Sequence, residues 1–123
     1  MLNQEDLIKK VKNYNPFLNQ AALLKAYSFA LKAHHNQKRD SGDPYVIHPV
    51  AVANILTEMR LDSATIATGL LHDTIEDTYA TYQTIEQEFG KEVADLVDGV
   101  TKITEFKNQA ISNTRAENFR KLI

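Results

Sequence analysis

Apolar residues recur along this chain at the spacing of helices, not strands. Between Glu5 and Tyr14, Leu7, Ile8 and Val11 fall on one side of a helix. That helix must end before Asn15-Pro16, because proline disfavours helical backbone in the residue before it. From Gln20 to His35, the positions Leu23, Tyr27, Ala30, Leu31 and His34 follow i, i+4, i+7, i+8, i+11, one helix face, with Asn19 as its N-cap. A third helix opens at His48-Pro49, where proline suits the first helical position, and Val52, Ile55, Leu56 and Met59 give it an apolar side. Arg60-Leu61-Asp62 turns the chain. Asp62 or Ser63 then caps a fourth helix that buries Ala64, Ala67, Leu71 and Ile75 and carries His72. Thr81 caps a helix ending at Phe89, with Gly90 at the C′ position. Lys91 to about Ile103 follows, with Val93, Leu96, Val97 and Val100 on one side. Thr104 to Asn113 reads as a polar, mobile stretch. Arg115 to Ile123 begins a further helix with Phe119, Leu122 and Ile123 as an apolar stripe.

The fold class is therefore all-α, a single domain over residues 1–123. A bundle of roughly five or six helices fits a chain of this kind. With 43% hydrophobic and 24% charged residues, the composition is that of a globular domain. A net charge of −2 gives no electrostatic case for nucleic acid or a membrane surface. The chain has no cysteine, which removes disulfides, thiol nucleophiles and thiolate metal sites and is compatible with a cytoplasmic location. No apolar run approaches the roughly 18 residues of a membrane span.

The chemistry gathers at Ala67–Asp77. On a continuous helix, at about 100° per residue, His72, Asp73, Glu76 and Asp77 share one arc opposite the apolar side. Three carboxylates so close repel one another, and a divalent metal would offset them. A solvated acidic helix end is the alternative. Connectivity favours the metal: two helices joined by a short turn should be antiparallel neighbours. His48 at the start of one and His72-Asp73 near the end of the next would then reach one ion. His34 lies on an apolar stripe, as buried packing histidines do, with proximity to the site the lesser reading. The loop Asn36 to His48 contains the turn-rich Ser41-Gly42-Asp43-Pro44. Asn36 can adopt the left-handed backbone that ends a helix. The loop's Lys38, Arg39 and Tyr45 suit either a solvated surface or contacts to phosphate and base.

The series His48…His72-Asp73…Glu76-Asp77 resembles the HD-domain phosphohydrolases. More closely, it is similar to the N-terminal hydrolase domain of the RelA/SpoT family. Ala33-His34, Gln37, Arg39, Ser41-Gly42-Asp43-Pro44-Tyr45, His48-Pro49, Phe89-Gly90 and Gly99-Val100-Thr101-Lys102 extend the likeness over about Tyr27 to Lys121. The resemblance implies an HD-type helical bundle and one Mn²⁺ per chain held by His48, His72 and Asp73. It also implies Glu76 and Asp77 as the groups that position or activate water. Arg39, Ser41 and Tyr45 would line the pocket for the guanine nucleotide (p)ppGpp. The implied activity is that of a guanosine-3′,5′-bis(diphosphate) 3′-pyrophosphohydrolase. The alternatives are a non-catalytic HD-domain remnant that binds metal or guanine nucleotide, and an HD phosphohydrolase acting on another nucleotide.

This chain departs from the family pattern in three places. Asp40 follows Arg39 where lysine or serine is usual, and Asn36 replaces a glycine. The fourth metal ligand, an aspartate on a later helix, has no counterpart: Asp95 and Asp98 are the aspartates that follow Asp77. The bundle is accordingly expected to be incomplete at its C-terminus, to hold metal loosely, and either to self-associate through the apolar face exposed there or to leave its last segment disordered.

Overall fold

A computed structural model describes residues 1–78 and 80–103, with residue 77 described in its backbone alone. The expectations placed on Thr104–Ile123, including the self-associating apolar face, lie outside the described residues.

Six helices run α1 (Gln4–Tyr14), α2 (Gln20–Ala33), α3 (Ile47–Glu58), α4 (Ser63–Leu71), α5 (Thr74–Asp77) and α6 (Tyr82–Phe89). A further helix, α7, occupies residues 91–103. Among the described residues there is no strand, and one isolated bridge joins Lys38 to Pro44. The fold is the all-α bundle that the spacing implies.

Side chains that take up otherwise unpaired N–H groups set the helix starts. Asn3 accepts from Asp6, Asn19 from Ala22, Asp62 from Thr65 and Thr81 from Thr84. Gly90, at φ 91°, closes α6 with a backbone angle that side chains resist. Asn36, at φ 71°, does the same for the turn after α2, as its short polar side chain permits. The turn after α3 falls at Arg60–Asp62 as the sequence suggests, but its backbone conformation was not legible. Arg60 takes the left-handed conformation at φ 58°. Its N–H bonds the Thr57 carbonyl at 3.0 Å and that of Leu61 bonds Leu56 at 3.2 Å. This double closure usually recruits glycine. The Tyr14 hydroxyl pins the turn by donating to the Leu61 carbonyl at 2.6 Å.

Leu7, Val11, Leu23, Ile66, Leu70, Leu71, Ile85 and Val97 form the fully buried centre. Helix α4 is its axis: Ile66 through Leu71 are all buried, against α2 on one side and α3 on the other. The approach of α3 to α4 is close. A Cβ on Gly69 would lie 2.6 Å from Leu56 Cδ1, so Leu56 packs onto bare backbone, with the Ala53 Cα 3.7 Å from the same point.

This contact corrects the expected face of α3. Its buried residues are Pro49, Val50, Ala53 and Thr57, whereas Ile55 and Met59 are 58% and 61% exposed. A helix apolar on several sides has its rotation set by its neighbours, and here α3 turns Ala53 and Leu56 to the glycine of α4. Helix α7 shows the same effect: Val93, Ala94, Val97 and Thr101 are buried while Leu96 and Val100 face outward. In α2, Ala26 and Ala33 are buried and Leu31 is 38% exposed.

Leu70→Ala is expected to destabilise the chain by about 2–5 kcal/mol, the range for a large-to-small change in a packed core. Ile55→Ala should change stability by no more than about 0.5 kcal/mol. Urea denaturation midpoints of the two variants check the rotation of α3.

Candidate metal centre

His48 is the second residue of α3, two places further into the helix than the sequence suggests. Val46 is the N-cap and Pro49 the third helical residue, where its missing N–H is still one that the helix leaves free. The entry is tightened by bonds from Ile47 N–H to the Pro44 carbonyl (3.3 Å) and from His48 N–H to the Tyr45 carbonyl (3.1 Å).

Helix α4 does not run on to Asp77 as the arc argument supposed. It stops at Leu71, and α5 resumes at Thr74. Two side chains take carbonyls at the end of α4. His72 Nδ1 lies 2.7 Å from the Gly69 carbonyl, and the Thr74 hydroxyl donates to the Leu71 carbonyl at 2.7 Å. The break brings the Asp73 carboxylate round to the two imidazoles. Its Oδ2 is 3.2 Å from His72 Nε2 and 3.5 Å from His48 Nε2, and the histidine rings stand 5.6 Å apart.

The donor set fits a divalent ion. One ligand atom from each of His48, His72 and Asp73 lies within 4.8 Å of the others. Two donors each about 2.1 Å from an ion and at right-angled to tetrahedral separation stand roughly 3.0–3.5 Å apart. A carbonyl can only accept, so His72 Nδ1 carries the proton and Nε2 presents its lone pair to the triad. Asp73 Oδ2 is buried without a hydrogen-bond partner, with the two imidazole nitrogens as its nearest polar atoms at 3.2 and 3.5 Å. A buried carboxylate oxygen left so is costly unless a cation meets it.

The electrostatics agree. Burial opposes the charged form of His72. Its polar contact with Asp73, the Gly69 carbonyl and the charges of Asp73 and Glu76 outweigh that and leave its pKa raised. Burial likewise opposes ionised Asp73. The contact with His72, the positive character of both histidines and the Tyr45 hydroxyl outweigh it, and its pKa is lowered.

The other expected site residues are placed unevenly. Glu76 is exposed on α5, near enough for its charge to act on His72. The Asp77 side chain lies outside the described residues. Tyr45 joins the triad directly, with its ring 6.3 Å from that of His48 and its hydroxyl bonded to Asp73. Ser41 is exposed and its hydroxyl donates to Asp43 Oδ2 at 3.1 Å. Arg39 is exposed, and its backbone is tied to Asp43 and Gly42. Sequence reasoning missed Gly69 as the anchor of His72. The signal was present in its position one helical turn before the histidine.

A family model described as the HD domain matches residues 26–123. The chain belongs to the HD-domain family. It is 52% identical over 123 residues to the GTP pyrophosphokinase rsh of Brucella melitensis, covering 100% of this chain and 16% of that protein. To the bifunctional (p)ppGpp synthase/hydrolase SpoT of Escherichia coli it is 51% identical over 119 residues, 97% of this chain and 17% of SpoT. A solved structure of a metazoan ortholog of SpoT that hydrolyses ppGpp matches this HD domain with a TM-score of 0.63. The identity is 34%, over 66% of this chain and 48% of that one. The chain thus spans about a sixth of the length of these two curated relatives. The relatives are RelA/SpoT proteins, the family that the sequence motifs resemble.

The shifts at His72 and Asp73 give the metal-free chain a signed pH dependence. The raised pKa of His72 contributes stability that is fully present below its ordinary value of 6.5 and is lost as pH rises through the folded value. The lowered pKa of Asp73 contributes stability present above 3.8 and lost as pH falls through the folded value. Stability in chelator is expected to be greatest between those two values, and His72→Asn should remove the decline on the alkaline side. Thermal unfolding in EDTA across the acid and neutral range checks this; an unchanged decline in His72→Asn would contradict it.

Proposed function

We propose that this chain is the hydrolase part of a (p)ppGpp-metabolising protein, removing pyrophosphate from the 3′ position of the guanosine alarmone. The proposal extends to a cytoplasmic location and to one Mn²⁺ held by His48, His72 and Asp73. The observation that carries it is the buried Asp73 oxygen without a donor, flanked by two imidazole Nε2 atoms, in a chain half identical to SpoT. Mixed nitrogen and oxygen ligands suit Mn²⁺. No helix among the described residues is long and apolar enough to cross a membrane.

A divalent ion in this site lowers the pKa of bound water and polarises the phosphoryl oxygens. The chain's own groups do the remaining work. The Gly69 carbonyl fixes the His72 tautomer, so the imidazole cannot turn its protonated nitrogen into the site. Glu76, one turn past the break, takes the proton of the attacking water, with Asp77 assisting. Water adds to phosphorus, the bond to the 3′ oxygen breaks, and that oxygen takes the proton held by Glu76, leaving pyrophosphate and a nucleotide with a free 3′ hydroxyl. The Arg39 guanidinium lies along the base and pairs with phosphate, and Ser41 and Tyr45 border the same pocket.

Incubation with ppGpp and Mn²⁺ should release pyrophosphate, and EDTA should stop it. Glu76→Gln is expected to lower turnover by about 10²–10⁴-fold while retaining metal. Asp73→Asn should lose metal and activity together. Metal and nucleotide bound without any pyrophosphate release would instead identify a non-catalytic binding domain.

A further inference from the structure

His72 and His48 are held in different ways. His72 donates its second nitrogen to a backbone carbonyl, the usual anchor of a metal-binding histidine. His48 has no such anchor: among the described residues no hydrogen bond orients its other ring nitrogen, and its side chain is 38% exposed. Its ring is instead bracketed by two others. The Tyr45 ring meets it edge-on at 6.3 Å and 73°, and the His72 ring at 5.6 Å and 64°. Tyr45 is backed in turn by His34, whose ring lies 4.7 Å away and tilted by 31°.

His34 is well placed to act as a fixed base. It is 3% exposed, it ends α2, and its Nδ1 is 2.7 Å from Gln37 Oε1. Backbone bonds hold both ends of the stack: Gln37 N–H to the His34 carbonyl at 3.0 Å, and Tyr45 N–H to the Gln37 carbonyl at 2.9 Å. Four rings thus form a continuous series from the end of α2 to the end of α4. His34 Nε2, buried and without a hydrogen-bond partner, adds a polar atom where an apolar ring would pack at lower cost. The gain is the Nδ1 bond to Gln37, which fixes the angle of the ring, as packing alone would not.

We propose that His34 is a positioning residue for the metal centre, acting through the stacked Tyr45 ring to orient the ligand His48. This rests on the metal-centre reading of the site but not on the identity of the substrate. Outer groups that orient ligands typically change metal affinity by 10–100-fold when removed. The ring and the nitrogen have separate roles: the ring backs Tyr45, and Nδ1 sets the angle.

The test is metal binding by the 123-residue chain itself. Mn²⁺ affinity is measured by titration, and Co²⁺ serves as a spectroscopic probe whose visible absorption reports ligand geometry. His34→Ala is expected to weaken Mn²⁺ binding at least 10-fold and to change the Co²⁺ spectrum. His34→Phe, which keeps the ring but not the Nδ1 bond, should recover part of the affinity, with a loss under 10-fold. Leu7→Ala, a core change in α1, controls for general loss of stability and should leave the spectrum unaltered. If His34→Ala folds and binds both ions as wild type does, the positioning role is wrong. If Leu7→Ala alters the spectrum as much as His34→Ala does, the effect is structural and the proposal falls. If His34→Ala does not fold, His34→Phe decides: a loss of 10-fold or more there refutes the ring's role, and a smaller loss supports it. A wild-type chain that takes up neither ion sinks both this inference and the metal-centre reading. A wild type that binds metal but leaves ppGpp intact sinks the proposed reaction alone.

Discussion

The site depends on α3 and α4 touching along their length. His48 comes from the first turn of one, and His72 and Asp73 follow the last turn of the other. The contacts pair positions at equal or nearly equal distance from the turn at Leu61, Ala53 against Gly69 and His48 against Asp73. A wider separation would move the two imidazoles apart in step. The backbone of Gly69 serves twice here: its missing side chain admits Leu56, and its carbonyl fixes His72. Packing and ligand orientation are therefore one constraint.

Much of this was legible in the sequence because it follows from local chemistry. The caps at Asn19, Asp62 and Thr81, the closing Gly90 and the left-handed Asn36 all express the hydrogen-bonding habits of single residues. The convergence of His48 with His72 and Asp73 followed from two helices joined by a short turn. What was not legible depends on the whole molecule. Ile55, Met59, Leu96 and Val100 were expected inside on their spacing, yet the face that each helix buries is set by the neighbours it meets. Arg60 in a glycine conformation answers to the tight turn and to Tyr14, which no local rule weighs. The break at His72-Asp73 arises from side chains competing for helix carbonyls, and it replaced the continuous arc on which the carboxylates were first placed.

That break also changes the electrostatic problem. On an unbroken helix the difficulty would be mutual repulsion among carboxylates. In the folded chain, Asp73 is buried and turned to the imidazoles, while Glu76 stays in solvent. The protein without metal relieves Asp73 by favouring protonated His72. A proton and a metal ion would compete there for the same lone pairs.

The loop between α2 and α3 is closed by its backbone. Bonds from Arg39 to Asp43, from Gly42 to Arg39 and from Tyr45 to Gln37 fold it back on itself. None of these bonds requires a particular side chain at the exposed positions Lys38, Arg39, Asp40 or Ser41. The frame that presents Tyr45 to His48 and Asp73 therefore rests on backbone, and the charges at positions 38 to 40 can change without moving it.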